Sequence, residues 1–267
     1  MIFIGEKING TRKSIKAAVL ERDAEQIRRT ALEQAEAGAD YLDVNAGTSP
    51  DRELEDMLWL VDTVQAAVDL PLCIDSPSPS VLRAAADRAK APPIINSVNA
   101  DPQKIEAILP LVRDLGCGVI ALALDESRTG MPRTLDERME NVDSMMRGIE
   151  RHGIAIENVF IDPLIMSVST DNGAGPMAFE AIRRIRSAYP GAHITGGLSN
   201  ISFGLPRREL VNRVFLALAM AAGMDSAVLD PANTALIETL KATELLLARD
   251  RFCRSYTKAA KSGFSRK

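Results

Sequence analysis

Hydrophobic residues follow two alternating rhythms along this chain. Short apolar runs appear as "MIFIGEKI", "YLDVNAG", "PLCIDS", "PIINSV", "GVIALALD", "NVFIDPL", "HITGGLS" and "SAVLDP". Near-continuous apolar runs of this length suit strands covered on both faces. Between them lie longer stretches with apolar residues three and four apart, such as "DAEQIRRTALEQAEAG", "DRELEDMLWLVDTVQAAV", "PRRELVNRVFLALAMAAG" and "NTALIETLKATELLLARD". These predict amphipathic helices. Gly38, Gly116, Gly153 and Gly223 close several of them just before the next run, where helices commonly end on a left-handed glycine. Asp51, Asp101 and Asn233 stand at predicted helix starts, where a short polar side chain caps free N–H groups.

Alternation of this kind predicts a parallel α/β fold. Eight strand–helix units in 267 residues match a (β/α)8 TIM barrel, which typically needs about 250 residues. A doubly wound sheet is the alternative. No GxGxxG follows the first strand and no Walker A sequence is present, so the nucleotide-binding version of that sheet loses support. With no linker or low-complexity stretch, residues 1–267 read as one barrel domain. The polar, basic tail 258–267 is expected to be loose.

Composition narrows the partners. The chain is 46% hydrophobic and 4% aromatic, and its 32 Lys and Arg against 36 Asp and Glu give a net charge of −4. That balance offers no electrostatic reason to expect nucleic acid or an anionic membrane surface. No apolar run is long enough for a membrane span, and "MIFIGEKING" lacks the basic start of a secretory signal. Cys73, Cys117 and Cys253 are widely spaced and odd in number. They point to reduced thiols in a cytoplasmic protein and to no metal-binding CxxC pair.

In such barrels the active site forms at the C-terminal ends of the strands. There the sequence places Glu6 and Asn9, Asp43 and Asn45, Asp75, Asn96, Asp125 and Glu126, Asp162, Ser199 and Asn200, and Asp230. Each residue taken alone has a bland explanation, because Asp and Asn favour the turns and caps that follow strands. Asp230, before Pro231 and a helix, fits that explanation best. So many polar strand ends on one rim fit a ligand site better.

The rim lacks much familiar chemistry. Of the two histidines, His152 ends a helix and is expected at the surface, and His193 begins a strand at the wrong end of a barrel for catalysis. Neither has partners at ligand spacing for zinc or iron, so no metal site is expected. No lysine besides Lys7 is placed for a Schiff base, and there is no G-x-S-x-G nucleophile turn. Acids and amides without a metal suit a ligand with several N–H donors in one plane, since a carboxylate accepts two parallel N–H bonds and an amide both donates and accepts. A pterin ring fits this description; purines and sugars also offer donors.

The stretches "GEKINGTR", "DVNAG", "IDS", "INSVNAD", "IDPLIMSVS" and "GGLSNISFG", in this order across essentially the whole chain, resemble the pterin-binding methyltransferases. These move a methyl group between 5-methyltetrahydrofolate and the cobalt of a corrinoid carried by a separate protein. The resemblance is weaker to dihydropteroate synthase, which shares the barrel but carries a lysine on its seventh strand where this chain reads "TGGLSN". A dihydropteroate-synthase-like enzyme and a non-catalytic folate-binding subunit are the alternative readings.

The methyltransferase resemblance implies that Asp75, Asn96 and Asp162 hold the pterin edge and that Asn200 meets the methyl-bearing nitrogen as the catalytic residue. Gly197 and Ser199 would shape the loop near the ring, and Arg207 would approach the folate's glutamate tail. Glu6, Asn9 and Asp43 fall on motif positions of the rim. It further implies tetrahydrofolate as substrate, a cobalt corrinoid supplied transiently by a partner protein, no metal held by this chain, and a homodimer. The chain contains no D-x-H-x-x-G stretch to hold a cobalamin itself.

Overall fold

A computed structural model describes residues 1–128 and 130–264. The first half runs β1 (Ile2–Asn9), α1 (Lys13–Glu21), α2 (Ala24–Glu36), β2 (Tyr41–Asn45), α3 (Pro50–Gln65), β3 (Leu72–Asp75), α4 (Pro79–Arg88), β4 (Ile94–Asn99) and α5 (Pro102–Leu115). The second half continues with β5 (Gly118–Leu122), α6 (Leu135–Arg151), β6 (Val159–Asp162), α7 (Ala174–Ala188), β7 (His193–Ile194), α8 (Arg208–Ala222), β8 (Ser226–Leu229), α9 (Thr234–Leu246) and α10 (Arg254–Lys261). The strands are all parallel, in the order β7-β6-β5-β4-β3-β2-β1-β8. The sheet closes on itself where Val228 N donates to Gly196 O (3.0 Å) and Asp225 N to Ile194 O (3.3 Å). This is the (β/α)8 barrel that the alternation predicts.

Two apolar layers hold it. Inside the barrel, Ile4, Cys73, Ile94, Ile120 and Phe160 pack together, with Ile2, Tyr41 and Val228 against them. Outside, the alternate strand residues, such as Val44, Ile74, Ile95, Val119 and Ile161, meet helix residues such as Leu60, Leu82, Leu109, Met145, Ile182 and Leu216. Burial on both faces explains why the strands read as continuous apolar runs.

β7 is shorter than "HITGGLS" suggests. Two glycines end it early, and residues Leu198–Ser202 coil into a 3-10 turn. Gly196, at φ 159, leaves no room for a side chain, since a Cβ there would lie 2.5 Å from Ile165 Cδ1.

The caps follow the sequence with one correction. Asp101 accepts from Gln103 N and Asn233 from Leu236 N, as N-caps do. Asp51 is not a cap: Ser49 occupies that position and Asp51 lies in the first turn of α3. The intervening Pro50 is the physical signal, because proline favours the first helical position and so puts the cap before it. Gly38, Gly116, Gly153 and Gly223 all have positive φ just past helix ends. The tail expected to be loose from 258 is helical through Lys261, where α10 ends, and Ala259 is buried. Residues 265–267 lie outside the described residues.

Candidate active site

The period of two along each strand builds the site. On five strands, an interior core residue is followed two places later by a polar one: Ile4 by Glu6, Tyr41 by Asp43, Cys73 by Asp75, Ile94 by Asn96 and Phe160 by Asp162. Side chains two apart share a face. The lower member of each pair therefore fills the barrel, and the upper member faces a cavity of about 330 Å³ above it. Ile120 and Val228 contribute apolar surface to the cavity, and Asn9, Thr11, Arg12, Gly197, Ser199 and Asn200 join its wall. A register shift in β1, between Gly5 and Ile8, changes the phase so that Asn9 joins Glu6 on the inner side.

On the β1–β4 wall the acids and amides bond one another. Asn9 Nδ2 donates to Asp43 Oδ2 (3.2 Å) and Asp75 Oδ2 (3.4 Å). Asn45 Nδ2 donates to Asp75 Oδ2 (2.9 Å), and Asn96 Nδ2 to Asp43 Oδ1 (3.2 Å). Burial, and then the neighbouring Asp75 charge, push the Asp43 carboxyl well above the usual carboxylate range. Burial likewise raises Asp75, opposed by the Asn45 and Asn9 amides. Two such carboxyls favour keeping a proton between them. Among the described residues the buried Asn45 Oδ1 has no hydrogen-bond partner, so this wall retains acceptor capacity.

On the β6 side, Asp162 is pushed up to about 6, first by burial and against the hydrogen bond from Leu164 N. That bond, to Oδ1, is 2.8 Å long and comes from a residue in the left-handed region (φ 64). Above this pKa the carboxylate is ionised and suited to paired N–H donors of a planar ring.

The turn after β7 differs. Asn200 is exposed, and among the described residues its side chain makes no hydrogen bond. A Cβ on Gly197 would come within 2.9 Å of Asn200 Nδ2, so the glycine leaves room for that amide. Ser199 Oγ donates to Glu6 Oε2 (3.4 Å), and Arg208 Nη2 holds the Ser199 carbonyl at 2.7 Å. Arg12 pairs with Glu6 at 2.9 Å. Burial raises the Glu6 carboxyl despite that guanidinium.

The structure thus brings Glu6, Asn9, Asp43, Asp75, Asn96, Asp162, Gly197, Ser199 and Asn200 to one cavity. Arg207 does not line it. It is exposed at the N-cap of α8, while Arg208 reaches the Ser199 loop. Asp125 turns onto the amide and hydroxyl of Ser127, and Glu126 pairs with Lys104, so β5 contributes no acid to the cavity. Asp230 pairs with Lys7 (3.2 Å) and accepts from Ala232 N.

His193 stacks on Phe160 and meets Asp225, far down the barrel from the cavity acids. His152 is not a free surface residue. Its side chain is 11% exposed, and Nδ1 lies 2.8 Å from Gly148 O, closing the last turn of α6. Thr11 and Arg12 are cavity residues that the sequence reading missed; both lie in the loop after β1, whose side-chain directions no periodicity predicts. Asn45 was recognised as a strand end, but its place behind Asp75 was not. Its spacing of two from Asp43 carries that signal.

Comparison with known proteins agrees with this geometry. The model of the family described as "Pterin binding enzyme" matches residues 5–230. A methylcorrinoid:tetrahydrofolate methyltransferase of Eubacterium limosum is 44% identical over 263 residues, covering 98% of this chain and 97% of that protein. A methionine synthase of Mycobacterium tuberculosis is 30% identical over 241 residues, which is 85% of this chain but 20% of that much longer protein. Among solved structures, dihydropteroate synthase of Xanthomonas albilineans with 4-aminobenzoic acid superposes with a TM-score of 0.69 at 22% identity. That match covers 94% of this chain and 92% of the other. At that identity the likeness concerns the fold.

Proposed function

This chain belongs to the pterin-binding enzyme family, and we propose that it is a methyltransferase moving a methyl group between 5-methyltetrahydrofolate and the cobalt of a corrinoid held by a separate protein. The observation that carries this reading is the near-full-length match to a methylcorrinoid:tetrahydrofolate methyltransferase, supported by a cavity whose acids and amides suit a pterin ring.

In this reading Asp162 accepts the paired N–H donors of the pterin in its ionised form. Asp75 and Asn96 meet the remaining edge, while Asn9, Asn45 and Asp43 fix their orientation through the network described above. Gly197 and Ser199 shape the approach to the ring, and Glu6 fixes Ser199. Arg207, exposed outside the cavity, is a partner for the glutamate tail, which must extend into solvent from a cavity of this volume.

The cobalt corrinoid is a substrate brought in by its own protein. In the direction away from folate, Co(I) supplies the electron pair that forms the cobalt–carbon bond. The bond between N5 and the methyl carbon breaks, its electron pair returns to N5, and a proton is gained there. Tertiary amines leave poorly unless the nitrogen gains positive character. The Asn200 amide, which makes no hydrogen bond among the described residues, donates to N5 as that character changes. A donor whose bond strengthens in the transition state is typically worth about 10²–10³ in rate. In the reverse direction N5 attacks the methyl group and loses the proton, and the same contact serves.

Among the described residues no group of three or more His, Cys, Asp or Glu is placed to hold a metal ion, and no helix is long and apolar enough to cross a membrane. We place the protein in the cytoplasm, where its free cysteines are stable. A homodimer fits the exposed stripe of Leu210, Val214 and Leu218 along α8 beside Phe179 of α7. Four residues apart on a helix, these side chains form one apolar face.

The test is absorbance spectroscopy of a methylated corrinoid protein mixed with tetrahydrofolate and this protein. The cobalt spectrum changes with formation of 5-methyltetrahydrofolate if the reading holds. Tight folate binding without spectral change across a panel of corrinoid proteins contradicts it and supports a binding subunit. Condensation of a pterin diphosphate with 4-aminobenzoate supports a synthase.

A further inference from the structure

A cation is buried near the start of α6 where neither the helix nor a salt bridge accounts for it. Arg138 is 3% exposed. It lies close to the N-terminus of α6, where the helix dipole disfavours positive charge. The acids of that turn are engaged elsewhere: Asp136 pairs with Arg184 (2.9 Å), and Glu137 closes a capping box with Thr134. Among the described residues Arg138 makes no salt bridge. Its Nη1 donates to two main-chain carbonyls, Pro163 O at 2.8 Å and Leu164 O at 2.6 Å, and its buried Nε has no hydrogen-bond partner among the described residues.

Those carbonyls belong to the two residues after Asp162. Leu164 is left-handed (φ 64), a conformation disfavoured for any residue with a Cβ. The turn it makes points Leu164 N back at Asp162 Oδ1, and Ile165 N supports the same carboxylate. The guanidinium therefore grips the outside of the turn whose inside cradles the acid. It also acts through space: its charge favours the ionised form of Asp162, and Asp162 and Asp171 in turn favour its own.

We propose that Arg138 is a positioning residue that holds the turn after β6 in its left-handed form and so keeps the Asp162 carboxylate charged and aimed into the cavity. The proposal deepens the functional reading, because it rests on Asp162 as the pterin-edge acceptor. The other charged groups around the cavity are Glu6 and Arg12 from β1 and its loop, Asp43 from β2 and Asp75 from β3. What opposes the ionisation of Asp162 is its burial, and the Arg138 charge works against that from behind. A bland alternative makes Arg138 only a staple for two carbonyls, in which case its removal loosens the loop without moving the proton on Asp162.

The experiment is a carboxyl ¹³C NMR titration of ligand-free full-length protein labelled at aspartate. The Asp162 signal is identified by its loss in Asp162→Asn. In the wild type it titrates near pH 6. In Arg138→Met the midpoint rises by about one pH unit or more, the usual effect of a nearby opposite charge. For a rise of about one unit, tetrahydrofolate affinity at pH 6.5 then falls by about threefold and recovers almost fully by pH 8. Arg138→Lys keeps a charge but not the planar fork, so its midpoint rises less.

A midpoint unmoved in both variants overturns the proposal. If Arg138→Met does not fold, Arg138→Lys decides it, with amide exchange at Leu164 as the second readout; an unchanged midpoint with unchanged protection overturns it. The titration uses no folate. A chain that fails to bind folate but shows the midpoint shift sinks the functional reading and leaves the Arg138 assignment standing.

Discussion

On one side of the cavity, from β1 to β4, the acids and amides are bonded to one another: Asn9 bridges Asp43 and Asp75, Asn45 holds Asp75, and Asn96 holds Asp43. On the other side, in the turn after β7, Asn200 is exposed and its amide makes no hydrogen bond among the described residues. The first wall rides on strands and is half-buried, with Asp43 fully so. The second rides on a 3-10 turn entered through two glycines. A network of mutually bonded buried groups resists reorientation, which suits holding a flat ring in one pose. A lone amide on a glycine-flanked turn can follow a nitrogen whose charge changes. Asp162 stands between the two: it is half-buried like most of the first wall, but positioned by main-chain amides. In the proposed mechanism the difference separates groups that bind equally in ground and transition states from one whose contact changes between them.

The largest expected loss of affinity comes from Asp162→Ala. Removing one side of a buried, charge-assisted pair costs about 2–3 kcal/mol, so calorimetry with tetrahydrofolate is expected to show weakening of about 30-fold or more. Retention of wild-type affinity removes Asp162 from the binding wall. Next comes pH. Only ionised Asp162 accepts the paired donors, so affinity is expected to be insensitive to this group above about pH 6. It falls by up to about tenfold per unit below that, as protons compete. An affinity flat from pH 7 to 5 breaks the assignment.

A smaller effect appears in stability. The folded carboxyl of Asp162 titrates above its ordinary value, so the charged form is disfavoured by folding. This cost is absent below the unfolded value near 4, builds as pH rises, and is complete above about 6. Asp162→Asn keeps an oxygen for the Leu164 amide and removes the cost. The ligand-free variant should unfold a few degrees above wild type at pH 8, about 1–3 kcal/mol, with no gain at pH 4. A gain at both pH values, or at neither, argues against burial as the cause. Smallest of all for the site is Val214→Asp on α8. If the proposed homodimer forms through this face, the variant is expected to be monomeric by light scattering while folate affinity stays within about twofold, since Val214 touches neither wall. Loss of affinity on dissociation ties the dimer to the cavity.

The sequence made the binding wall readable because strands impose a period. Once Ile94 is a core residue, Asn96 shares its side of the sheet, and the same step gives Asp43, Asp75 and Asp162. Loops impose no such rule. Arg12 and Thr11 were missed for that reason, and Asp125 and Glu126 were placed on a rim they turn away from. Arg207 and Arg208 are adjacent, and only the fold reveals that Arg208 is the one gripping the Ser199 carbonyl. The strand pattern puts Ser199 and Asn200 on the rim, but the family resemblance alone points to Gly197 and gives all three their roles. Arg138 was invisible from sequence because a charged residue in a helical stretch is ordinarily a solvated one.

The division of labour between the walls is tested most directly by stopped-flow cobalt absorbance in single turnover, at saturating tetrahydrofolate, with Asn200→Ala. The expected result is a methyl-transfer rate lower by roughly 10²-fold, with a much smaller change in folate affinity. A wild-type rate at saturation, or a loss confined to affinity, would contradict the account.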